Sequence, residues 1–229
     1  LNCLNSPIEK HKFYIKSNKE QTLEILKFSG LALLIFLGFV LIGLFLEWYF
    51  LPLLALPLIL SVLAPFIDTP QGKKQGKLIY YTPLFITEKI KNEKIIIHGG
   101  TLFDYYYVLD RNWKERQRIR FILRQYILGL LKLSESFHAK NAEYISLEGT
   151  SYILNERTAE KLGFHKKRTN FLQQFILTYN YLQILLANSI AKGKLSFPDL
   201  ARVNTYTAPL SAIKQNKIFL KQLADKLKD

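Results

Sequence analysis

Between Phe28 and Ile67 the chain carries one charged residue, Glu47. The run "FSGLALLIFLGFVLIGLFL" (28–46) has 19 residues without a charge. At roughly 1.5 Å per residue it nearly matches a hydrocarbon core of about 30 Å. The run "WYFLPLLALPLILSVLAPFI" (48–67) follows directly. Glu47, with Trp48 and Tyr49 beside it, suits a turn at the membrane–water interface, where aromatic rings gather. Pro52, Pro57 and Pro65 would break a soluble helix but are tolerated in a membrane one. The pattern predicts a two-helix transmembrane hairpin, 28–46 and 48–67. A re-entrant hairpin dipping into one leaflet is the alternative.

The flanks set the orientation. A basic N-terminal segment, 1–27, brings Lys10, Lys12, Lys16, Lys19 and Lys27 up to the first span. Lys73, Lys74 and Lys77 follow the second. By the positive-inside rule both flanks, and so both termini, are expected in the cytoplasm. The same lysines suit anionic lipid head groups. The formal net charge is +14, nearly all of it outside the apolar region. Abundant Lys, Ile and Asn fit an AT-rich genome, so a bacterial inner membrane is the expected location. Cys3 is the only cysteine, which excludes an intrachain disulfide.

Beyond the apolar region, "DTPQGKKQGK" (68–77) reads as a polar linker and 78–229 as one cytosolic α/β domain. A strand is expected over 77–89, broken at Pro83, then a turn at 91–94. Residues 94–110, "KIIIHGGTLFDYYYVLD", are expected as one or two strands, bulged at Gly99-Gly100. An amphipathic helix is expected over 113–137, where Ile119, Ile122, Tyr126, Leu130, Leu133 and Phe137 share a face. A strand over 142–154 follows, then a short helix capped by Asn155 and stopped at Gly163. A second long helix is expected over 167–191, closed by Gly193, and a last one over 211–227. "SFPDL" and "NTYTAPL" read as loops.

Several chemistries are excluded by pattern. The four histidines are scattered and lack metal-ligand spacing, so no metal is expected. "HGG" at 98–100 and "GTSYI" at 149–153 hint at a serine hydrolase, but no histidine stands near the C-terminus to complete the triad. No nucleotide phosphate loop is present. The basic charge is spread along the chain without a nucleic-acid-binding motif, so no nucleic acid is expected.

Asp104 stands on the expected strand in line with Leu102, Tyr106 and Val108. A carboxylate among apolar neighbours must be paired, or its pKa rises, and Asp104 is thus a candidate base with His98 near it. Arg116, Arg118, Arg120 and Arg124 crowd the start of the 113–137 helix. Cations oppose the dipole there, so an anion held by the arginines and the free backbone N–H groups is the sharper reading.

The order strand, arginine-started helix, strand, short helix, "EKLGF" (160–164) resembles the central part of the GNAT-type N-acetyltransferase superfamily over residues 95–166. In that family a strand leads into a helix whose N-terminus holds the pyrophosphate of acyl-coenzyme A. "KERQRIR" (114–120) stands where the family has a glycine-containing loop, and Ala159 where it has a tyrosine. The resemblance implies a GNAT-like fold binding acyl-coenzyme A through Arg116, Arg118 and Arg120. Asp104, His98 and Glu148 are the catalytic candidates. The expectation is a membrane-anchored acyltransferase. The alternative is a non-catalytic membrane-tethered module that binds a protein partner or anionic lipid.

Overall fold

A computed structural model describes residues 11–138, 142–151, 154 and 156–228. Cys3, Lys10 and the expected Asn155 cap lie outside the described residues.

Helix α1 spans Asn18–Phe45. It starts well before the apolar run because Ser17 and Glu20 form a reciprocal capping box, which satisfies the first backbone N–H groups. It is long and apolar enough to cross a membrane, and only 6% of its most apolar stretch is buried. Glu47 turns the chain at φ 60°. Helix α2 (Leu51–Leu63) folds back on α1, packing Ala55, Ile59 and Leu63 against Phe28, Ala32, Phe36 and Phe39. Helix α3 (Pro65–Lys74) continues from α2 with a bend of 49°. The expected linker at 68–77 is therefore helical as far as Lys74. Pro65 and Pro70 do not prevent this: Pro65 opens the new helix, where a missing N–H costs nothing.

Six strands form one sheet in the order β1-β2-β3-β4-β6-β5. These are β1 (Leu78–Thr82), β2 (Phe85–Glu88), β3 (Lys94–Gly99), β4 (Ser146–Ser151), β5 (His165–Lys167) and β6 (Asn204–Pro209). Pro83 lies in the turn between β1 and β2, which pair antiparallel. Only β3 and β4 run parallel among the described strands. The crossover between them includes α4 (Leu102–Val108) and the long α5 (Glu115–Glu135). Helix α6 (Glu156–Lys161) precedes β5 and ends at Gly163, whose φ of +88° suits a residue without a side chain.

The expected helix over 167–191 is two helices, α7 (Phe171–Tyr179) and α8 (Tyr181–Lys192), separated at Asn180. Likewise the last helix is broken at Asn216 into α9 (Leu210–Gln215) and α10 (Lys217–Lys226). The segment "NTYTAP", expected as loop, is strand β6. Its alternation is hidden by Thr205 and Thr207, which share the face opposite Tyr206 and Ala208, the two residues that enter the core.

Two cores meet at α5. One face of the sheet packs Tyr81, Phe85, Ile95, Leu147 and Tyr206 against Ile127, Leu130 and Leu133 of α5 and against Leu210, Ile213 and Leu220. Gly129 permits the close approach of α5, since a Cβ there would lie 2.2 Å from Cγ of Phe85. The second core gathers Phe13, Phe66, Leu84, Phe103, Tyr107 and Ile122. Phe66 stacks on Phe28 at 4.1 Å, where the apolar run of α1 begins. The C-terminal ends of β1 and β3 lead into this second core, so they point toward the α1–α2 end of the molecule.

Candidate functional site

The parallel pair forks. Its register runs from Lys94↔Ser146 to Ile97↔Gly149 and stops there. Beyond that point each strand stays with its outer neighbour. His98 and Gly99 pair with Ile86 and Phe85 of β2, while Thr150 and Ser151 pair with Thr205 and Asn204 of β6. Crevices at the carboxyl ends of parallel strands are where open α/β sheets bind ligands. Tyr126 of α5 backs the fork: a Cβ at Gly99 would sit 2.5 Å from its hydroxyl, which also meets that of Tyr105 at 3.2 Å.

Side-chain alternation sorts the residues around the fork. Ile95 and Ile97 face the helix-covered core, so Lys94, Ile96 and His98 occupy the other face. Glu148, paired with Ile96, shares that face. Lys94 and Lys167 donate to its two carboxylate oxygens at 2.8 and 3.3 Å. Burial disfavours the charge, but the hydrogen bonds from Lys94 and Lys167 prevail and hold the carboxyl below its ordinary range. That makes Glu148 a weak proton acceptor. His98 is different. Its Nε2 lies 2.9 Å from Oε1 of Glu88, and both side chains are about half-exposed. A carboxylate that orients an accessible imidazole is a common arrangement for proton transfer. No sequence motif marks Glu88. Only the hairpin register, Ile86↔His98, brings it alongside.

Asp104 is elsewhere, and not on a strand. It is the third residue of α4, in a capping box with Thr101. The Thr101 backbone N–H and hydroxyl donate to Oδ2 at 2.7 and 2.8 Å. The Tyr80 hydroxyl donates to Oδ1 at 2.8 Å, and His11 Nε2 lies 3.1 Å from the same oxygen. Tyr14 in turn donates to Tyr80 at 3.3 Å. The partner of Asp104 is thus His11, not His98. His11 and Asp104 are wholly excluded from solvent, and burial, the Asp104 charge, and the Tyr14 neighbour push the Tyr80 hydroxyl well above its ordinary value. His11 Nδ1 has no hydrogen-bond partner among the described residues, which suits the tautomer with its hydrogen on Nε2. The cluster ties the N-terminal segment to α4 and β1. Access for a substrate is lacking. The sequence did hold a signal: "TLFD" (101–104) is a Thr-x-x-Asp helix-start signature directly after two glycines.

The arginines of α5 are engaged with helix ends. Arg118 donates to Trp113 O at 3.0 and 2.8 Å and to Ile190 O, near the C-terminus of α8, at 2.7 Å. Arg120 donates to Lys226 O at 2.8 Å and Arg124 to Ala224 O at 3.3 Å, both in the last turn of α10. Cations at helix C-termini complement the dipole and satisfy terminal carbonyls. Arg116 is exposed in the first turn of α5.

Two clefts lie beside α1, not at the fork. One, of about 410 Å³, is lined by Lys12, Lys16, Lys27 and Arg111, with Glu24 and Asp110. The other, of about 800 Å³, lies between α1 and α3 and includes Lys73 and Lys74. Among the described residues no three His, Cys, Asp or Glu side chains gather as metal ligands would. No family model, curated protein or solved structure matches the chain.

Proposed function

We propose that the chain is a membrane-anchored, acyl-coenzyme-A-dependent acyltransferase of divergent GNAT type. In this reading α1 and α2 form a two-span hairpin in a bacterial inner membrane, with both termini cytoplasmic. The exposed leucines and phenylalanines along both helices support the membrane contact, and the flanking lysines support the orientation.

The observation that carries the catalytic reading is the fork between β3 and β4. The segment "YYYVLD" that the resemblance takes as its strand belongs to helix α4; strand β3 before it, and helix α5, strand β4 and short helix α6 after it, keep an order of the same kind. A thioester lying in the fork would be within reach of the face that carries His98. There His98, oriented by Glu88, would take the proton from an acceptor amine or hydroxyl as it attacks the thioester carbonyl. The C–S bond breaks, a C–N or C–O bond forms, and the departing thiolate takes up a proton. Asp104, wholly buried, holds the fold of this region, and Glu148 is kept charged by its lysines. Because the fork opens toward the α1–α2 end, the acceptor is proposed to come from the membrane side.

Calorimetry of the full chain in detergent with acetyl-coenzyme A tests this. Saturable binding, with thioester cleavage lost in His98→Ala but binding retained, supports it. No heat at millimolar ligand sinks it.

A second reading has its own support. Arg118 and Arg120 are committed to helix ends, and the two clefts beside α1 are lined by lysines from around the start of α1 and from the end of α3. A non-catalytic tethered module that holds anionic lipid head groups, or a protein partner, requires nothing more. Retained binding of anionic vesicles without any response to acetyl-coenzyme A favours it.

A further inference from the structure

Helix α7 presents an apolar face that no element among the described residues covers. Phe171, Leu172, Phe175, Ile176 and Tyr179 follow helical spacing on one side, and Phe171 is 81% exposed and Phe175 60%. The nine residues "FLQQFILTY" include no charge. A soluble surface helix ordinarily turns such a stripe inward. Here only Gln173 and Leu177 are partly buried on the inner side. The helix is well formed all the same, because Asn170 caps it by accepting from the Gln173 N–H at 2.7 Å.

Its two ends are fixed in the molecule. At the C-terminus, Ser61 of α2 donates to Tyr179 O at 3.2 Å. Ser61 lies near the end of α2 that adjoins Pro65 and Phe66, the same end at which Phe28 opens the apolar run of α1. This hydrogen bond sets the C-terminal end of α7 beside α2, whose own leucines are largely exposed. At the N-terminus, Thr205 donates to Thr169 at 3.2 Å, and Thr205 also meets Thr150, just past the fork, at 3.1 Å. Lys166 and Lys167, which pair with Glu156 and Glu148 while staying largely exposed, and Arg168 immediately precede this point.

We infer that α7 is an interfacial helix, seated with Phe171, Leu172, Phe175, Ile176 and Tyr179 in the surface of an anionic bilayer. It rests on the membrane reading of α1 and α2. An uncharged amphipathic helix beside a spanning element, with cations at its head, has the chemistry of a lipid-surface element. It pins the sheet against the bilayer at a second place, and its start sets the β4 side of the fork at that surface.

The test uses the full chain with Cys3→Ser and one added cysteine carrying an environment-sensitive fluorophore. The label is placed by Phe175→Cys, Leu41→Cys or Glu143→Cys, all exposed positions, in vesicles of phosphatidylglycerol and phosphatidylethanolamine. Expected is blue-shifted emission at 175 that a shallow spin-labelled lipid quenches, deeper quenching at 41, and water-like emission at 143. Water-like emission at 175 with quenching at 41 overturns the interfacial helix and leaves the anchor standing. Water-like emission at both overturns both. A shift at 175 that lipid does not quench, and that grows with protein concentration, means that a second copy covers the face and also overturns the proposal.

Discussion

His11 Nε2 lies 3.1 Å from Oδ1 of Asp104, with both side chains at 0% exposure and the two residues 93 positions apart in the chain. This contact joins the segment before the apolar helix to α4, beyond the first three strands. Asp104 accepts from three further donors, two on Thr101 and one on Tyr80. Asp104→Asn keeps the shape but sets an amide N–H against at least one of those donors. Removing one partner of a buried pair costs on the order of 3 kcal/mol. The expected result is a clearly lower thermal midpoint of the full chain in detergent, followed by circular dichroism. An unchanged midpoint would mean that the network contributes nothing to stability.

Gly129 faces Phe85 so closely that Gly129→Ala forces either α5 or β2 to move. Overpacking of this kind costs about 1–3 kcal/mol. Double substitution Gly129→Ala with Phe85→Leu should recover part of the loss, since the smaller side chain makes room. Equal midpoints for the single and double variants would contradict the packing described.

Arg118 and Arg116 separate structure from ligand binding. Arg118→Ala leaves the Trp113 and Ile190 carbonyls without their donor, which should destabilise the fold by about 1.5–3 kcal/mol, as for hydrogen bonds from charged groups. Arg116→Ala, at an exposed position, should leave the midpoint within about 0.5 kcal/mol of the parent. Weaker acetyl-coenzyme A binding in Arg116→Ala at unchanged stability would therefore report a direct contact.

Much of the fold was legible because period and composition coincide. The apolar run marked α1 and α2, the spacing of Ile122, Leu130 and Leu133 marked α5, and Gly163 and Gly193 marked helix ends. The failures have local causes. "DYYYVLD" has strand propensity, yet Thr101 and Asp104 cap a helix and the second core buries Phe103, Tyr105 and Tyr107 on it; tertiary burial overrides propensity. β6 reads as loop because threonines and a proline mask its alternation. The pairing of Glu88 with His98, and of His11 with Asp104, depends on strand register and chain return, which no local pattern encodes.

The Glu148 carboxyl is held below its ordinary range in the folded state, despite burial, by Lys94 and Lys167. The ionised form therefore stabilises the fold above the unfolded carboxylate value of about 4.3, and that contribution disappears as pH falls through the lower folded value. Melting from pH 7 down to pH 3 should show Glu148→Gln less stable at neutral pH and converging on the parent in acid. A constant gap at every pH would assign its effect to packing alone.

The fork between β3 and β4 is the centre of the functional account, and amide hydrogen exchange reads it directly. The full chain in lipid nanodiscs is exchanged with and without saturating acetyl-coenzyme A. Slower exchange confined to residues 97–101, 149–151 and the first turn of α5 is the expected result. Unchanged exchange at the fork, or protection only around Lys12, Lys16 and Lys27, would contradict it.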